Sequence, residues 1–118
     1  MNRIACLAAL LLACTGMSAT AAPTPVGHYY LQGVMETGSE LLLRDDGRFQ
    51  WYLVVGALDL FAEGDWTATD DTVLLTAHKS EAVPSPAFET LTLRVDGANL
   101  VPPDGRGARY RTVPRMFR

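Results

Sequence analysis

From residue 27 onward, apolar side chains alternate with polar ones, and the alternation is cleanest where Phe49, Trp51, Leu53 and Val55 interleave with Arg48, Gln50 and Tyr52. A period of two is the signature of a strand with one buried face, because successive side chains of an extended backbone point to opposite sides. The same pattern recurs with Leu60, Ala62, Gly64 and Trp66 against Glu63, Asp65 and Thr67, and with Leu91, Leu93 and Val95 against Thr90, Thr92 and Arg94. It predicts strands over residues 27–34, 39–44, 48–55, 60–68, 72–77 and 88–95, a short segment ending at Pro102-Pro103, and a last strand over 108–113. Between them stand turn signals: Asp45-Asp46-Gly47, Asp70-Asp71 and Asp96-Gly97. Gly47 is placed to take the positive φ of a tight reversal. Residues 79–86, with Pro84 and Pro86, read as a loop or an open edge.

Seven or eight antiparallel strands in succession, with no helical stretch long enough to act as a crossover, predict an all-β fold. The expected architecture is a small meander closed, or partly open, as a barrel, with a two-sheet sandwich as the alternative. This domain spans residues 27–118 behind a short linker at 22–26. About 97 residues suffice for a single core with a small stability margin.

The first 21 residues follow a different pattern and read as a secretion signal. Arg3 gives a positive flank, and residues 4–14 run without a charge before Gly16 interrupts them. That stretch is about half of the roughly 20 residues needed to span a bilayer. Ala19-Thr20-Ala21 offers the small side chains that a signal peptidase accepts, predicting cleavage between Ala21 and Ala22. Leu11-Leu12-Ala13-Cys14 is an alternative processing site of lipobox type, in which Cys14 is acylated. The expected location is accordingly the periplasm or the medium, in soluble form, or else the outer membrane through a lipid on Cys14. Both cysteines, Cys6 and Cys14, lie ahead of the domain. The domain is thus expected to have no disulfide, thiol nucleophile or thiolate metal site.

Charge is informative once divided. Without Arg3, 9 basic residues face 13 acidic ones, a net of −4. Arg106, Arg109, Arg111, Arg115 and Arg118 contribute +5, leaving residues 22–105 at −9. A basic end against an acidic body suggests pairing with an acidic neighbour, or weak contact of these arginines with anionic surfaces. Nucleic acid is not an expected partner of an acidic exported domain with one lysine. A membrane-spanning barrel is not expected either, since the strands are short and the last carries Arg109 and Arg111 ahead of Pro114.

The run Gly27-His28-Tyr29-Tyr30-Leu31-Gln32-Gly33, followed by Asp46-Gly47-Arg48-Phe49 and Gly64-Asp65-Trp66, resembles a family of short exported proteobacterial proteins with no assigned activity. More loosely, it is similar to lipocalin-like meander barrels and to the N-terminal barrel of the copper-responsive envelope lipoprotein. The resemblance covers residues 27–75 and implies a β-barrel. Two departures limit what else it implies. Lipocalins carry their Gly-x-Trp in the first strand, whereas here it falls in the fourth, and the Cys-x-x-Cys of the copper-responsive barrel has no counterpart. Neither ligand class carries over, and no cofactor is expected.

The polar inventory is thin in catalytic signals. His28 and His78 are fifty residues apart, Ser39, Ser80 and Ser85 sit in turn-like settings without a nucleophile elbow, and the paired aspartates fall at turns. An enzyme is therefore the weakest class. The aromatic and apolar strand residues Phe49, Trp51, Leu53 and Trp66 are expected either to fill the core or to face a ligand inside the barrel. Two functions follow. One is a non-enzymatic binding module displaying the loops at 33–38, 56–59 and 79–86 to an envelope protein. The other is a carrier of a small apolar molecule, using the barrel interior.

Overall fold

The computed structural model describes residues 24–103 and 107–112. It is an all-antiparallel closed barrel of eight strands in meander order: β1 (Gly27–Gln32), β2 (Thr37–Leu43), β3 (Arg48–Val55), β4 (Leu58–Ala68), β5 (Thr72–Ala77), β6 (Thr90–Asp96), β7 (Asn99–Val101) and β8 (Arg109–Thr112). Each strand pairs with the next, and β8 returns to β1 with Leu31 opposite Tyr110 and Tyr29 opposite Thr112. Closure leaves no pair of sheets facing one another, so the sandwich alternative does not apply. It also satisfies the strand edges that an open sheet would expose.

The alternation read from the sequence is what closes the barrel. Leu41, Leu43, Phe49, Val73, Leu75, Leu93 and Leu100 are almost wholly excluded from solvent, and they occupy every second position of their strands. A side chain of this kind contributes on the order of 2 kcal/mol when fully buried. An eight-stranded barrel is just wide enough for its interior to be filled by side chains.

Strands β1, β2, β4 and β6 differ from their predicted bounds by one or two residues at their ends, and for β4 and β6 the cause is visible. Strand β4 begins two residues earlier than its pattern suggests, because Leu58 pairs with Val55 across a tight hairpin. Phe88 lies outside β6. The segment 78–89 instead crosses the free edge of the first half of β4, where His78 N–H donates to Glu63 O and Ala87 N–H donates to Phe61 O, both at 2.9 Å. This course carries the Phe88 ring against the core, stacked 6.1 Å from Phe49 and edge-on to Trp51 at 5.0 Å. The predicted open loop is thus a strap that covers an edge and packs Phe88 against the core.

Gly64 marks a close approach of β4 to β5. A Cβ there would lie 2.0 Å from the backbone oxygen of Thr76, so this point of the β4–β5 pairing accepts only glycine. At the β2–β3 hairpin Gly47 takes φ 85°, as the turn signal requires.

Candidate functional site

The four residues predicted to be core or ligand-facing all lie on the inner face. Phe49 and Trp51 are buried, at 1% and 8% exposure, and Leu53 and Trp66 pack against them from nearer the two ends. Across β3 and β4, Trp51 stands opposite Ala62 and Phe49 opposite Gly64. Small residues therefore do face the large rings, but the space beside those rings holds Phe88. Trp66 is tied to the β2–β3 turn, its indole N–H donating to Arg44 O at 2.9 Å.

Inside, one polar chain runs among the apolar residues. Ser39 Oγ–H donates to the carbonyl of Tyr52 at 2.6 Å, which commits its proton. Tyr110 Oη–H must then donate to Ser39 Oγ, also at 2.6 Å, and Tyr110 Oη accepts the indole N–H of Trp51 at 3.0 Å. Every buried donor in this relay is satisfied, so the set fixes the register of β2, β3 and β8 without leaving a polar group free to bind a guest. Burial raises the Tyr110 phenol above its ordinary range, opposed by the bonds to Ser39 and Trp51.

The outer face of β1 to β4 is different. His28, Glu40, Leu42, Gln50, Tyr52, Phe61 and Glu63 project from it, and with Val83 of the strap and, between them on β3 and β4, Trp51 and Ala62, they line a groove of about 330 Å³. The register explains the grouping: Glu40 faces Tyr52, Tyr52 faces Phe61 and Gln50 faces Glu63 across adjacent strands. Glu40 lies between two partners, its Oε1 2.7 Å from His28 Nε2 and its Oε2 accepting the Tyr52 hydroxyl. The Tyr52 hydrogen bond is the main reason its carboxyl stays below the usual range, with His28 adding to it and burial opposing. In return Glu40 raises the Tyr52 phenol. The Tyr52 and Phe61 rings are 6.4 Å apart and tilted by 53°, and Phe61 is 51% exposed. Below the groove Asp65 accepts from His78 and from Arg48, at 2.9 and 3.0 Å, and its carboxyl is lowered chiefly by the His78 bond.

No family model matches the chain, and no curated protein matches it either.

The two histidines do not meet: His28 belongs to the Glu40 cluster and His78 to Asp65. Among the described residues no three of His, Cys, Asp and Glu converge as a metal site, and no helix is long and apolar enough to cross a membrane. Arg109 is paired with Asp96, while Arg111 is exposed. Ala21, Ala22, Cys14, Arg106, Arg115 and Arg118 lie outside the described residues.

The outer groove was not among the sequence-predicted sites, although a signal for it is present. Phe61 stands at an outward position between Asp59 and Glu63, where the alternation calls for a polar residue. Leu42 breaks the pattern in the same way on β2. Their convergence depends on strand pairing, which the alternation alone does not give.

Proposed function

We propose that this chain is an exported, non-enzymatic interaction module of the cell envelope, and that it recognises a partner protein with its outer face rather than with its interior. The observation that carries this reading is the aromatic groove at Tyr52 and Phe61, set on the outside of a barrel whose interior is filled. A half-exposed phenylalanine beside a tyrosine, on rigid strands, is the kind of anchor around which protein interfaces form.

The meander order adds a second element. Loops 33–36, 56–57 and 78–89 all emerge at one end of the barrel, and there Val34, Met35, Val55 and Leu58 are exposed, Met35 to 84%. The rim and the groove adjoin through the β3–β4 hairpin, giving one continuous surface for a partner. Use of the interior as a lipocalin-like carrier would require a ligand to displace Phe88 from Phe49 and Trp51, with loss of those ring contacts.

Site-specific photo-crosslinking in the producing cells tests the reading. A benzophenone side chain in place of Phe61 is expected to give a discrete protein adduct, whereas the same group in place of the exposed Leu74 on β5 gives none. Equal adducts at both positions, or none at Phe61, would contradict it.

A further inference from the structure

Resting on that outer-face reading, we infer that the groove receives the guanidinium of an arginine in a basic segment of the partner protein. The groove is rich in acceptors and poor in donors. Glu40 and Glu63 both line it, and no lysine or arginine does. The nearby Arg44 and Arg48 are committed to Asp46 and Asp65. His28 Nε2 is engaged with Glu40.

Acceptor capacity remains after the internal bonds are made. Each Glu40 oxygen takes one partner, and a carboxylate offers about four lone-pair sites in all. Glu63 Oε2 accepts Ser80 Oγ–H at 2.8 Å, while among the described residues Oε1 has no hydrogen-bond partner. A ligand suited to this surface brings donors and a positive charge. Arginine brings five N–H donors in a fixed plane and no acceptor.

The two rings favour the same group. Tyr52 and Phe61 both line the groove, their rings tilted by 53°; aromatic rings attract a cation over their faces, and a planar guanidinium also stacks on them, which a rounder, more strongly hydrated ammonium does not. Leu42 and Val83 supply apolar wall for the methylene stem. At longer range, the net −4 of residues 22–118 favours the approach of a basic segment.

Amide chemical-shift titration of the whole folded chain with acetyl-Gly-Arg-Gly-Arg-Gly-amide tests this, alongside its citrulline counterpart and the neutral sugar chitotriose. The expected shifts centre on Leu42, Gln50, Tyr52, Phe61 and Glu63, with the citrulline peptide binding about tenfold more weakly because it lacks the charge. Phe61→Ala and Glu63→Gln are each expected to weaken the arginine peptide by about fivefold to tenfold while the rest of the spectrum stays unchanged. Shifts centred on the Asp45-Asp46 and Asp70-Asp71 turns, equal binding of the citrulline peptide, or no localised shift would overturn the assignment. Chitotriose binding in the groove without the peptide would overturn the arginine assignment as well, yet leave the outer face as the recognition surface. Failure of the Phe61 crosslink, by contrast, removes the surface itself.

Discussion

The Tyr110 hydroxyl shows how much one polar atom settles inside an apolar barrel. It accepts from Trp51 and donates to Ser39, so Tyr110→Phe leaves the Trp51 indole N–H without a buried acceptor and Ser39 Oγ, which still donates to Tyr52 O, without its donor. The expected loss is about 1–3 kcal/mol, read as a lower urea midpoint with an unchanged slope. The phenols of Tyr29 and Tyr110 are both raised above 10.0 by burial. A group whose folded pKa is raised stabilises fully below its unfolded value and loses that contribution as pH rises toward the folded one. Stability is therefore expected to hold up to about pH 10 and to fall above it, with the phenolate absorbance of these two tyrosines appearing together with unfolding. Their ionisation within an intact barrel would contradict this. The sequence marks both tyrosines as aromatic strand residues and no more. The relay joins positions 39, 51 and 110, and only barrel closure brings residues so distant in the chain together.

Alternation was legible strand by strand, because each strand has one wet face and one dry one. For β3 and β5 the predicted bounds coincide with those observed, and the inward sets of β4 and β6 are those read from the pattern. Segment 78–89 was not legible, since its conformation depends on an edge of β4 that extends past the end of β5. Pro84 and Pro86 signal only that the segment is no central strand. Its contribution is measurable through Phe88. Replacing it with alanine withdraws a ring from Phe49 and Trp51, with an expected loss of about 2–3 kcal/mol, less than for a fully buried phenylalanine. Retention of full stability in Phe88→Ala, measured by urea unfolding, would show that the strap covers the barrel without supporting it.

For the whole molecule, closure and filling together direct recognition outward. The interior holds Leu41, Leu43, Phe49, Trp51, Leu75 and Leu93 in one cluster, and the most exposed apolar residues, Val34, Met35, Val55, Leu58 and Phe61, gather at one end and along the β3–β4 side. Fold class was readable from the sequence because the number of strands and the lack of crossovers leave few ways to cover the edges. The groove was not, since it is a property of neighbouring strands and of a strap. Native mass spectrometry of the chain isolated from its own cells, beside Phe61→Ala, is the most direct test of recognition by the outer face. The expected spectrum shows the chain without a small-molecule adduct and in a complex with a protein partner that Phe61→Ala abolishes. An apolar small molecule that stays bound in Phe61→Ala and is lost when Phe49 or Trp51 is altered would place recognition inside the barrel and contradict the account.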